Sequence, residues 1–239
     1  MYKALLLDLD ETLCDTTGAN NLALQAMAER AAALHTGIDG EVFSRQYLTG
    51  IYRDFTPEQA AYFLPINDEG AFRLLLIETI LAGLGVDAPY HAETLQQCFD
   101  DTRNQCFGFF DGVADKLQQW RQHYQLVVIT NGPEFSQLAK VAAVQLHDYV
   151  DHIIIGGQEP EQKPAASIFS KALTLANCLP SEAIHIGDSL TADIAGANNS
   201  GIRSLWISHG NQRTGDVVPT DTVATPQQFM AFIDGLAGQ

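Results

Sequence analysis

Basic residues are scarce in this chain of 239: 13 lysines and arginines stand against 29 aspartates and glutamates, a net charge of −16. Nucleic acids and anionic membrane surfaces are held by clustered positive charge, so neither is expected as a partner. An anionic small molecule would have to be drawn in by a local feature, and a bound divalent cation is the simplest one. Cysteine is also scarce. Cys14, Cys98, Cys106 and Cys178 stand apart without metal-type or redox-type spacing, which argues against a disulfide framework and for free thiols in a reducing compartment. Long apolar runs are missing as well. No stretch reaches the length needed to span a bilayer, and the apolar run Ala4–Leu7 is too short, and too soon cut by Asp8, for a secretory leader. A cytoplasmic location is the expectation. Internal repeats, low-complexity tracts and blocks of like charge are absent.

What is there begins with Ala4-Leu5-Leu6-Leu7-Asp8-Leu9-Asp10-Glu11-Thr12. A short apolar run ending in a polar break reads as a strand buried on both faces, as inside a parallel sheet. Ligands collect beyond the carboxyl ends of such strands. Residues i and i+2 of an extended chain project to the same side, so Asp8 and Asp10 should crowd one volume. Two close carboxylates repel unless a proton or cation lies between them. The plainer alternative is that they cap a following helix.

From residue 16 to 106 the pattern is helical. Leu24, Met27, Ala31 and Leu34 form a helical stripe, a second helix is expected over 41–55, and Thr56-Pro57-Glu58-Gln59 carries a capping box with proline at the first helical position. Helices are further expected over 72–84, stopped at Gly85, and over 92–106. From Phe107 onward, strands at 125–129, 152–155, 183–186, 203–207 and 222–224 alternate with helices, among them 134–146, 165–177 and 192–200. Such alternation predicts an α/β, doubly wound parallel sheet. Two domains follow: a Rossmann-like core of residues 1–15 and 107–239, and an inserted helical domain of residues 16–106.

Four stretches then matter as a set: Asp8-Leu9-Asp10-Glu11-Thr12, Ile129-Thr130-Asn131-Gly132, Lys163-Pro164, and Ile186-Gly187-Asp188-Ser189 with Asp193. Their order and setting resemble the four motifs of the haloacid dehalogenase (HAD) superfamily, which is mostly phosphatases. The resemblance implies that Asp8 is a nucleophile forming an aspartyl-phosphate and that Asp10 is the general acid and then base. It implies Mg²⁺ as cofactor, held by the Asp8 carboxylate, the Asp10 carbonyl and Asp188. Thr130, Asn131 and Lys163 would bind the substrate phosphate, Thr12 would orient the turn by hydrogen bonding, and Asp193 would support the site or pair with Lys163. His185, inside a strand, and His209, in a loop, are read as bystanders.

The inserted helical block resembles a C1-type cap, found on enzymes for small soluble phosphate esters such as phosphoglycolate, nucleoside monophosphates, sugar phosphates or acylneuraminate 9-phosphate. Tyr47, Tyr52, Phe55, Tyr62 and Phe63 could line a pocket there, though packing of the block's own core is their commoner use. The alternatives are a sugar phosphomutase, a 2-haloacid dehalogenase, against which Asp10 counts, and a non-catalytic binding module. The sequence carries no signal for oligomeric state.

Overall fold

The computed structural model describes residues 1–86 and 90–236. Its contacts divide the chain into two compact units: Met1–Thr16 with Phe107–Gln239, and Thr17–Cys106.

In the first unit, strand β1 (Ala4–Leu7) is buried along its whole length. Burial of a leucine side chain is worth about 2 kcal/mol, and Leu5, Leu6 and Leu7 are all fully enclosed. The other strands are β2 (Gln125–Thr130), β3 (His152–Ile155), β4 (Ala183–Gly187), β5 (Arg203–Ile207) and β6 (Asp221–Val223). Among the described residues they form one sheet in the order β3-β2-β1-β4-β5-β6, every pair parallel. Leu7 pairs with Val128 on one side and Ile186 on the other. The residues that follow β1, β2 and β4 therefore leave the sheet side by side.

Alternate residues turn to opposite faces. Ala4, Leu6, Val127 and Ile129 pack with Ile168, Phe169 and Ala172 of the helix Ala166–Leu175. The helices Val113–Trp120 and Pro226–Leu236 meet through Trp120 and Phe229, ring centroids 5.4 Å apart, and the Trp120 indole donates to Asp234 at 2.9 Å.

In the second unit, five helices are described: Thr16–Leu34, which begins at the unit's edge, then Gly40–Ile51, Pro57–Phe63, Glu69–Gly83 and Tyr90–Cys106. The capping box at Thr56 and Gln59 is formed in both directions, while Asp39 and Asp68 each accept main-chain N–H groups at their own helix starts. The second helix stops at Ile51, short of the expected residue 55, and Arg53 just beyond it is left-handed, with φ of 58°. This unit has its own core, in which Tyr47, Phe63 and Phe72 are buried and Phe55 is packed against them. Packing therefore accounts for Tyr47, Phe55 and Phe63, whereas Tyr52 and Tyr62 are exposed.

Candidate active site

Asp8 follows β1 directly, and its N–H donates to Ile186 O at 2.9 Å, which ties it to β4. Only 6% of it is exposed, and burial raises its pKa well above the usual carboxylate range, against the opposing pull of Lys163. Leu9 O accepts from the N–H groups of Leu13 and Cys14, both at 3.0 Å, so the turn after Asp8 is closed by main-chain bonds. Thr12 is wholly buried, and its Oγ1 lies 3.5 Å from Asp8 Oδ2, at the long end of hydrogen-bond range.

Lys163 lies between β3 and the helix Ala166–Leu175 and reaches the same point from the neighbouring strand's side. Its ammonium donates to Asp8 Oδ1, to Asp193 Oδ1 at 2.7 Å and to Ile129 O at 2.7 Å. An ammonium has three donors, and all three are engaged. A ligand atom on Lys163 would have to replace one of these acceptors. Burial alone would lower the lysine pKa, but the charges of Asp193 and Asp8 outweigh it and hold the pKa above its ordinary value. Asn131 fixes the main chain there: its Nδ2 donates to Lys163 O and its Oδ1 accepts from Lys163 N, both at 2.9 Å. Thr130, the last residue of β2, is wholly buried, and its hydroxyl donates to Gln137 Oε1 at 3.1 Å.

The fourth stretch departs from the expected helix over 192–200. Its first turn, Leu190–Ile194, is a π-turn, and the α-helix covers only Ala195–Asn199. Ser189 O accepts from both Asp193 N and Ile194 N, and the wider turn swings the Asp193 carboxylate back against β4. Turns of this kind recur at functional sites. The approach is so close that a Cβ built on Gly187 would lie 2.2 Å from Asp193 Cγ.

Asp193 is 1% exposed. Its Oδ1 accepts from Lys163 and, at 2.9 Å, from His185 Nε2, while its Oδ2 accepts from Ser189 N at 3.0 Å. Burial pushes its pKa up, yet the Lys163 charge and the His185 bond win and pull it below the ordinary carboxylate range. His185 is thus no bystander. Burial lowers its pKa, against the opposing pull of Asp193, and since a carboxylate only accepts, His185 Nε2 is the donor. His209 also has a partner, its Nε2 donating to Glu11 O at 2.6 Å.

Asp188 stands one residue beyond β4, its carbonyl held by the Trp206 indole at 2.7 Å. Burial, with Asp193 adding to it, pushes its pKa up to about 6. Asp8, Asp188 and Asp193 each bring one carboxylate oxygen within 4.8 Å of the others. Because both Asp193 oxygens already accept hydrogen bonds, Asp8 and Asp188 remain as the charged donors. An all-oxygen pair of carboxylates suits Mg²⁺ better than a soft metal.

Asp10, two residues past Asp8, has a different neighbourhood. Lys140 Nζ lies 2.8 Å from each of its carboxylate oxygens, Gln137 Nε2 donates to Oδ2 at 3.2 Å, and Thr16 Oγ1 donates to Oδ1 at 2.6 Å. Sequence reading missed Lys140 and Gln137. The available signal was that they stand three residues apart on the helix after β2 (Glu134–Ala143), hence on one face.

A family model described as haloacid dehalogenase-like hydrolase matches residues 2–201. The chain is 30% identical to N-acylneuraminate-9-phosphatase of Mus musculus, over 97% of this chain and 90% of that protein. It is 28% identical to glyceraldehyde 3-phosphate phosphatase of Pyrococcus abyssi, over 88% of this chain and 83% of that protein. The crystal structure of the magnesium-bound HAD-hydrolase YfnB of Bacillus subtilis shares the fold, with a TM-score of 0.73, 21% identity, and coverage of 98% of this chain and 99% of that one.

Proposed function

This chain belongs to the haloacid dehalogenase-like hydrolases and is a phosphatase, and from that premise we propose that it hydrolyses small phosphomonoesters with Mg²⁺, carrying the phosphoryl group on Asp8. The observation behind the reading is that Asp8, Lys163 and Asp188, from three separate stretches of chain, meet beyond the ends of adjacent parallel strands. Such convergence at strand ends is how sheets of this kind build ligand sites.

In this reading the Asp8 carboxylate attacks phosphorus and the ester oxygen leaves, taking a proton from Asp10. Water then attacks the aspartyl-phosphate, giving its proton to Asp10 and freeing Asp8 and phosphate. Two easier displacements replace one hard hydrolysis. The Asp8 and Asp188 carboxylates and the Asp10 carbonyl would hold Mg²⁺, which when bound neutralises charge between the acidic groups and an anionic ester. Lys163 positions Asp8 and adds positive charge beside the phosphoryl site, and Asp193 with His185 keeps Lys163 in place. Thr130 and Asn131 would complete the phosphate site through this same loop, and the helical unit would serve as the cap that selects the substrate.

For substrate class, the two relatives are named for acting on a phosphate at the last carbon of a carbohydrate-like chain. A phosphate on the primary alcohol end of a small polyhydroxylated molecule is the corresponding proposal here. The test is a panel of primary and secondary phosphomonoesters, assayed with Mg²⁺ and after chelation. Hydrolysis favouring primary esters and lost on chelation is expected; phosphate release from no ester, or release indifferent to chelation, would contradict the reading.

A further inference from the structure

The helix Glu134–Ala143 buries Gln137 and Lys140, whose side chains the reaction as described does not use. Lys140 is 6% exposed and Gln137 3%, and lysine is almost never buried unless paired. Its partner is Asp10, 130 residues away in sequence. The two Lys140–Asp10 distances are equal at 2.8 Å, so the ammonium sits centrally before the carboxylate. Gln137 links two parts of the site, since its amide nitrogen donates to Asp10 Oδ2 and its amide oxygen accepts from the Thr130 hydroxyl. Thr16 closes the remaining side of Oδ1. The Asp10 side chain nonetheless keeps 27% of its surface exposed, which leaves it open to a water or ligand atom.

We propose that Lys140, assisted by Gln137, is a positioning residue that aims the Asp10 carboxylate for the second half of the reaction. The inference rests on the reading of Asp8 as nucleophile and Asp10 as acid and base. In that second step a bond forms between water oxygen and phosphorus. The bond between Asp8 and phosphorus breaks with its electrons passing to Asp8, and the water proton goes to Asp10. Asp10 must then be held at one angle and still be reachable, and the cradle of Lys140, Gln137 and Thr16 does both. Loss of an ångström of placement can cost on the order of 100-fold in rate.

The test uses Lys140→Met and Lys140→Arg with p-nitrophenyl phosphate in rapid mixing. Nitrophenolate leaves without needing a proton, so phosphorylation of Asp8 survives a misplaced Asp10 while hydrolysis of the aspartyl-phosphate does not. Lys140→Met should lower steady-state turnover roughly 10- to 100-fold and retain an initial burst near one nitrophenolate per enzyme. Lys140→Arg should recover most of the rate. Turnover within about threefold of the parent, or a folded Lys140→Met that loses its burst together with its turnover, would overturn the proposal; if Lys140→Met folds poorly, the milder Gln137→Leu decides, with a smaller loss and an intact burst expected and unchanged turnover or a lost burst overturning it. Asp10→Asn is run alongside. If it shows the burst and Lys140→Met does not, only the role of Lys140 fails. If Asp10→Asn turns over normally, the acid–base reading fails and the role of Lys140 with it.

Discussion

Lys163 and Asp193 form a buried ion pair at 2.7 Å, the lysine side chain 2% and the aspartate side chain 1% exposed. Two charges taken out of water are tolerated only with full hydrogen bonding, and both residues have it: Ile129 O and Asp8 complete the lysine, His185 and Ser189 N the aspartate. Asp193→Asn would leave Lys163 with half its counter-charge. The expected outcome is a loss of about 3 kcal/mol in urea unfolding together with a large fall in kcat. A variant as stable as the parent would show that Asp193 does not hold this lysine.

His185 gives a gentler probe of the same chain of bonds. His185→Phe keeps the ring volume beside Phe169, whose centroid lies 5.0 Å away, but removes the donor to Asp193. A loss of about 1–2 kcal/mol is expected, with activity reduced less than in Asp193→Asn. Equal damage from the two substitutions would contradict the order of bonds described.

Gly187→Ala tests the close approach between β4 and the π-turn. The added methyl would meet Asp193 Cγ at 2.2 Å, and a carboxylate pinned by three donors cannot easily withdraw. Overpacking of this kind costs about 1–3 kcal/mol, and the turnover rate should fall with it because Asp193 must move. Full activity in Gly187→Ala would mean that the turn has slack.

Asp188 supplies a pH-dependent prediction. Its carboxyl titrates at about 6 in the fold against an ordinary value of 3.8, so the folded state holds the proton more tightly than the unfolded chain. Metal-free stability therefore falls as pH rises between those values and stays lower above them. Asp188→Asn removes the penalty. Metal-free Asp188→Asn should melt above the parent near pH ~8, with the gap closing towards pH ~4, and Mg²⁺ should stabilise the parent much more than the variant. A metal-free variant that melts lower than the parent at the higher pH would contradict both the burial cost and its relief.

Much of this arrangement was legible in the sequence, because strand ends announce themselves. The apolar runs before Asp8, before Thr130 and before Asp188 mark buried parallel strands, and the α/β class follows from their alternation with helices. Lys140 and Gln137 were not legible. A lysine on an amphipathic helix reads as solvated, and only the folded chain brings it to Asp10 in the turn after β1. His185 was misread for a related reason: inside a β-branched run, nothing local shows that a π-turn eight residues later returns a carboxylate to it. Pairing with Lys163 was one of two roles open to Asp193, and the π-turn that delivers it has no sequence signature of its own. The engagement of all three Lys163 donors likewise depends on groups far apart in the chain.

The claim at the centre is that the phosphoryl group rests on Asp8 during turnover. Acid-quenching the enzyme during hydrolysis of a good substrate and mapping its peptides by mass spectrometry tests this directly. The account predicts a phosphoryl adduct on the peptide carrying Asp8, absent from a folded Asp8→Asn variant that no longer releases phosphate. An adduct on another residue, or sustained turnover by Asp8→Asn, would contradict it.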